Sequence, residues 1–323
     1  MISEENAPEA ARLTPHAEIR TVRAVVNPNS GSVGLGAADM LREIVASFGL
    51  EVEVTELEGP RLPQQLAAAV AEKPDLLIVL AGDGTARLAA ELCGPEGPLV
   101  APLPGGTMNM LPKALYGDRD WKAALAAALA TGEVRCVSGG EVSGKSFFVA
   151  AILGSPALWA DAREAVRELK LWAAMQRAQR ACVRAFSGPL KFQLDRNPIA
   201  QAEALTLMCP LVSKALDREE ALEAAALDPQ GVGEAFRLGM RAAFGSVLGD
   251  WRRDPAVTIE LCRSGRAWAR GRIPAILDGE PQRLNPGVVF RFKPDAFRAL
   301  APPSTTPPEP ESEVLKDSIK AAI

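Results

Sequence analysis

The sequence holds one histidine, His16, in a polar N-terminal segment. Ser-His-Asp and Cys-His hydrolases need an imidazole base, and zinc hydrolases draw on imidazole ligands. One histidine in a loose leader serves neither, so acid–base chemistry falls to Asp, Glu, Lys or Tyr. The five cysteines, Cys93, Cys136, Cys182, Cys209 and Cys262, include no C-x-x-C pair. They read as buried thiols, not as a zinc site or a disulfide frame. A basic excess is also missing: 36 Lys and Arg face 40 Asp and Glu, for a formal charge of −4 and a pI near 5.4. That balance argues against a nucleic-acid partner, whose phosphates call for a basic surface. The longest apolar runs, Leu76–Ala81 and Phe147–Leu153, are strand-sized and far short of the ~20 residues of a membrane helix. The opening MISEENAPEA has neither a basic nor an apolar signal region. A cytoplasmic protein is expected.

What is present is an alternation. With 323 residues the chain has room for two domains. After a flexible leader over 1–18, strands at Val22–Val26, Val52–Leu57, Leu76–Leu80 and Pro98–Leu103 alternate with helices at Ala37–Phe48, Leu62–Ala71, Thr85–Leu92, Asn109–Leu115 and Trp121–Ala130. Unbroken apolar strands between helices imply a parallel sheet covered on both faces, giving an α/β domain over 19–138. From 139 to 301 strands dominate. They are expected at Ser146–Leu153, Leu190–Leu194, Ala202–Met208, Leu222–Leu227, Val257–Leu261, Ala267–Leu277 and Val288–Phe292, with helices intruding at 157–186 and 234–244. A Pro-rich, disordered tail follows over 302–323.

Three glycine-rich turns follow strands of the first domain: Asn27-Pro28-Asn29-Ser30-Gly31, Ala81-Gly82-Asp83-Gly84-Thr85 and Pro104-Gly105-Gly106-Thr107-Met108-Asn109. In an open parallel sheet such loops gather on one edge, where ligands bind. Glycine lets backbone N–H groups approach phosphate oxygens, and the helix that follows favours the anion. Asp83 adds a carboxylate suited to Mg²⁺, and Thr85 and Thr107 add hydroxyl donors. Each turn alone is equally well a tight strand-to-helix connection; three in succession favour a phosphate site.

Gly139–Ser146, with the sequence GGEVSGKS, has the spacing of a P-loop. A P-loop works only where a helix starts at its Lys-Ser. Here SFFVAAIL follows, a strand-like run, so the segment reads as a hairpin. Late in the chain Asp278-Gly279-Glu280 brings two carboxylates to a strand end. It is either a plain Asp-Gly turn or a general base with a supporting acid.

Together these elements resemble the diacylglycerol kinase catalytic family, which includes bacterial lipid kinases and is similar to sphingosine kinases. The motifs N-P-x-S-G, G-G-D-G-T, P-x-G-T-x-N and D-G-E match Asn27–Gly31, Ala81–Thr85, Pro104–Asn109 and Asp278–Glu280 in order, and the likeness runs from about Thr21 to Leu300. It implies an N-terminal α/β domain like that of NAD kinases, a β-sandwich-like C-terminal domain, and a cleft between them. It also implies ATP and Mg²⁺. Asn27, Ser30, Gly31, Thr55, Gly106 and Asn109 would line the nucleotide site, and Gly82, Asp83, Gly84, Thr85 and Thr107 would meet phosphates or metal. Asp83 would be the metal ligand. Glu280 would be the base for a lipid hydroxyl, with Asp278 in support. This chain departs from the family at Ala81, at Arg87-Leu88 in place of Asn-Glu, at Met110 in place of Asp, at Pro112-Lys113 in place of Ala-Arg, and at Glu220 in place of a glycine.

The function expected is ATP-dependent phosphorylation of a diacylglycerol-like lipid hydroxyl. A kinase for a nucleotide or sugar hydroxyl, and a nucleotide-binding protein without turnover, stand as alternatives. A lipid acceptor requires a membrane surface, and peripheral contact at the inner face is one way to reach it. Between Asp161 and Arg196 basic residues outnumber acidic ones, with Trp159, Trp172 and Phe186 in or beside the stretch. It reads first as a packed helix with a solvated charged face, and second as an amphipathic helix lying on an anionic surface.

Overall fold

The computed structural model describes residues 19–154, 189–213, 221–227, 255 and 257–303. Its first part alternates as the apolar pattern dictates: β1 (Val22–Val26), α1 (Ala37–Ser47), β2 (Val52–Glu56), α2 (Leu62–Ala71), β3 (Leu76–Ala81), α3 (Asp83–Cys93), β4 (Leu99–Pro104), α4 (Met110–Tyr116) and α5 (Trp121–Thr131). The strands pair in parallel in the order β2-β1-β3-β4. Every residue of β3 is buried, which is why LLIVLA shows no polar alternation. α1 buries one stripe, Ala37, Ala38, Leu41 and Val45, at the spacing of a single helix face. α5 starts where the Asp120 carboxylate accepts the Ala123 N–H at 2.8 Å; such a cap contributes about 0.5–2 kcal/mol.

The second part is mostly antiparallel: β5 (Glu133–Val142), β6 (Lys145–Phe147), β7 (Ala150–Gly154), β8 (Leu190–Leu194), β9 (Ala200–Ala202), β10 (Ala204–Met208), β11 (Leu222–Leu227), β12 (Val257–Cys262), β13 (Ser264–Trp268), β14 (Ile273–Leu277), β15 (Glu280–Leu284) and β16 (Gly287–Ala301). One sheet runs β12-β11-β10-β7-β14-β15. β16, β13, β8 and β9 continue the first sheet beyond β4, with β5 and β6 alongside. A second core, with Phe147, Leu153, Leu207, Leu277 and Phe290 at its centre, fills the space between the two sheets. This is the sandwich expected of the C-terminal half.

β16 joins the two parts. Val288 and Phe290 belong to the second core, whereas Ala296, Phe297, Ala299, Leu300 and Ala301 complete the first. Ala299 pairs with Val100 of β4, and a register shift between Lys293 and Phe297 lets one strand serve both cores. The division expected after residue 138 therefore falls inside β5, and the end of the 139–301 segment returns to the α/β core.

Other expectations are corrected locally. Ser146–Leu153 is two strands, because Phe148 and Val149 turn their N–H groups onto Asp278. Ala267–Leu277 is likewise two strands; Pro274 sits in β14 opposite Arg283, before the pairing with β7 begins at Ala275, a position where no ladder donor is needed on that side. The P-loop spacing belongs to the β5–β6 hairpin. Ser143 and Gly144 have φ of 50° and 81°, as a two-residue type I′ turn requires, and Lys145 opens a strand where a P-loop needs a helix. The helices expected at 157–186 and 234–244, the leader, Glu220 and the tail beyond 303 lie outside the described residues. Among the described residues no helix is long and apolar enough to cross a membrane.

Candidate active site

β1, β3 and β4 are parallel, so the loops leaving their carboxyl ends share one edge of the sheet. Opposite that edge stands the turn between β14 and β15. Between them opens a cleft of about 270 Å³, walled by Ser30, Gly31, Gly82, Asp83, Gly106 and Thr107 from the loops and by Gly279 and Glu280 from the turn. Met108 also lines it.

The loops hold one another. Ser32 donates its hydroxyl to the Gly106 carbonyl at 2.7 Å and its N–H to the Gly105 carbonyl at 3.0 Å. Gly106 must be glycine: a Cβ there would lie 2.8 Å from the Gly82 Cα. Asn109, at φ 53°, folds its amide back onto its own loop, accepting from the Gly106 N–H at 2.7 Å and donating to the Gly106 carbonyl at 2.9 Å. Asn27 accepts the Asn29 N–H at 3.1 Å, turning the first loop. Thr85 is buried in the first turn of α3. Asn27, Thr85 and Asn109 thus shape the loops without lining the cleft.

Asp83 is half-buried at the first position of α3. Its two oxygens accept the N–H groups of Asn109 at 2.8 Å and Met110 at 2.6 Å. α4 has no cap from its own N-cap side chain, so Asp83 caps it from across the site. Burial raises the Asp83 pKa, while those two backbone donors and the Lys113 charge oppose the rise. A carboxylate has about four lone-pair positions, so two bonds leave room for a cation. Among the described residues there is no cluster of three or more His, Cys, Asp or Glu able to hold a metal alone. One carboxylate beside glycine loops fits Mg²⁺, which keeps waters and completes its shell with substrate phosphates.

The two carboxylates of the late motif part company. Asp278, at φ 47°, is 2% exposed. It accepts the N–H groups of Phe148, Val149 and Ala150 at 2.7, 2.8 and 3.0 Å. Burial pushes its pKa up to about 6, against the pull of those three donors and of Arg87. Expected beside Glu280 as a catalytic carboxylate, it is instead the strut that holds the turn. Glu280 faces the cleft and lies over Gly84, where a Cβ would come 3.4 Å from the Glu280 Oε1.

Residues 21–142 match the diacylglycerol kinase catalytic domain. The match covers the first domain and all three glycine loops, so the resemblance carried by those motifs is shown for this part of the chain. The fold of a diacylglycerol kinase from Bacillus anthracis str. Sterne is similar, with a TM-score of 0.65 at 15% identity over 89% of this chain and 98% of that one. A candidate diacylglycerol kinase from the same strain superposes with a TM-score of 0.67 at 19% identity, over 89% and 99% of the two chains. At such identities these likenesses establish the fold. No curated protein matches the sequence.

Thr55 is a correction. It lies within β2, opposite Val25, and lines a separate cavity of about 140 Å³ beneath α2 with Arg23, Gln65 and Glu72. Strand β2 runs to Glu56, so Thr55 is held in the ladder and not released into the loop beyond. Two cleft residues escaped the sequence reading. Met108 was passed over as the variable position of its motif. Gly279, at φ 87° with its Cβ position 3.3 Å from the Met110 sulfur and 3.4 Å from the Met108 sulfur, was read only as a spacer.

Proposed function

We propose that the cleft transfers the γ-phosphate of ATP to the hydroxyl of a diacylglycerol-like lipid. The observation that carries this is Glu280, a carboxylate projecting into the glycine-lined cleft from the opposite sheet, with no histidine among the described residues to take its role. The backbone N–H groups around Gly31, Gly82 and Gly106, with the hydroxyls of Ser30 and Thr107, would hold the phosphates. Asp83 would hold Mg²⁺, which supplies charge neutralisation on the phosphate oxygens. Glu280 accepts the proton of the lipid hydroxyl as it attacks; Asp278 and Gly279 set the turn that aims it. The acceptor resides in a membrane, so the protein works at a membrane surface.

Met110 favours a second reading, nucleotide binding without turnover, because it puts a thioether where the resembled family carries an acid. Radiolabelled ATP with Mg²⁺ and a panel of dispersed lipids, sugars and nucleosides separates the readings. Label in a diacylglycerol-like lipid supports the proposal. Label only in a water-soluble acceptor, or ATP binding with no transfer, overturns it.

A further inference from the structure

Arg87 stands where the resembled family carries asparagine, and its side chain reaches across to β6. It lies on α3 one turn after Asp83, and its Nη1 donates to the Ser146 carbonyl at 3.3 Å. One turn further on, Glu91 accepts the Ser146 hydroxyl at 3.2 Å. α3 thus grips β6 at one buried residue from two positions. Two residues beyond Ser146, Phe148 gives its N–H to Asp278. The contacts close a ring: Gly84 at the head of α3, down the helix to Arg87, across to Ser146, along the chain to Phe148, over to Asp278, and through Gly279 to Glu280, which rests back on Gly84.

The Arg87 Nε is buried without a hydrogen-bond partner. A guanidinium cannot shed its proton, so burying it is costly unless an anion compensates. Arg87 makes no direct ion pair with Asp278; across the Ser146–Phe148 link its charge pulls Asp278 toward the ionised form, less strongly than the three N–H groups do. When ionised, Asp278 is acceptor-only, which suits the three converging N–H groups.

We propose that Arg87 is a positioning residue that keeps the Asp278–Gly279–Glu280 turn seated on α3, so that Glu280 stands over Gly84. The idea rests on the phosphoryl-transfer reading above. Besides Arg87 from α3, the titratable group that meets Asp278 is the Cys209 thiol following β10, which burial keeps neutral; Glu280 of the same turn lies at Gly84 instead. Arg87 is the cation in that set.

The test uses the full chain as wild type, Arg87→Met, Arg87→Lys and the double variant Arg87→Met/Asp278→Asn. Transfer from ATP to dispersed diacylglycerol and urea unfolding are measured from pH 5 to pH 8. A misaimed base costs on the order of 10- to 100-fold in kcat, whereas KM for ATP should stay within about twofold because the phosphate loops are untouched. The acid limb of the kcat profile should move to higher pH in Arg87→Met and return in Arg87→Lys. The stability deficit of Arg87→Met should be larger at pH 8, where Asp278 is ionised, than at pH 5, and this difference should vanish in the double variant. An unchanged kcat, or a deficit equal at both pH values, overturns the inference. If wild type transfers nothing to lipid, the function reading fails, and the unfolding series still decides whether Arg87 acts through Asp278. If Arg87→Met does not fold, Arg87→Gln, which keeps a donor for the Ser146 carbonyl and loses the charge, must show the kcat loss; unchanged kcat there is the contrary result.

Discussion

The Glu280 carboxylate lies against Gly84, with its Oε1 3.4 Å from the place a Cβ on that glycine would occupy. A methyl group fits that gap as an ordinary contact; a branched side chain does not. Gly84→Ala should keep phosphate transfer within a few-fold. Gly84→Val should displace Glu280 and lower kcat by about 100-fold, with the melting temperature little changed. Equal activity in both variants would show that the position of Glu280 over α3 does not matter.

Asp83 has a structural duty beside its proposed metal role. Asp83→Ala leaves the N–H groups of Asn109 and Met110 without acceptors, which costs about 1–3 kcal/mol for each group that stays buried and unpaired. Urea unfolding should therefore show a clear loss of stability together with loss of turnover. Undiminished stability would mean that α4 does not depend on this cap.

Asp278 makes stability pH-dependent in an unusual direction. Its pKa in the fold is about 6, raised by burial from 3.8, so the folded protein binds a proton that the unfolded chain releases. The associated stabilisation is complete below the unfolded pKa and is lost as pH rises through about 6. Two pKa units correspond to on the order of 3 kcal/mol. In Asp278→Asn this dependence disappears, so the variant's deficit relative to wild type should be larger near pH 4 than at pH 7. A deficit that does not shrink as pH rises would contradict the assignment.

Lys145 donates to the Gln282 side chain at 2.6 Å on the exposed hairpin. Lys145→Ala should leave kcat within about twofold and cost less than about 1 kcal/mol of stability. A loss of several orders of magnitude in kcat at normal stability would restore the P-loop reading of GGEVSGKS.

The α/β half was legible because its signals are local: apolar runs for β1, β3 and β4, and glycine turns where each strand ends. The hairpin at Ser143-Gly144 could be read for the same reason. What escaped depends on contacts between distant residues. Asp278 is buried by N–H groups about 130 positions earlier, and no neighbouring residue announces that. β16 was read only as far as Phe292, because Lys293-Pro294-Asp295 looks like a strand end. The structure absorbs those residues in a register shift and continues to Ala301. Thr55 was assigned from motif order, whereas the pairing register keeps it in the ladder.

Glu280→Gln tests the central claim most directly, since it keeps the shape of the side chain and removes its basicity. Single-turnover transfer of labelled phosphate from ATP to dispersed diacylglycerol should fall by on the order of 10²–10⁴, with ATP affinity and thermal stability unchanged. If the variant instead loses ATP affinity and keeps its maximal rate, Glu280 belongs to the nucleotide side of the cleft and is not the base of a lipid kinase.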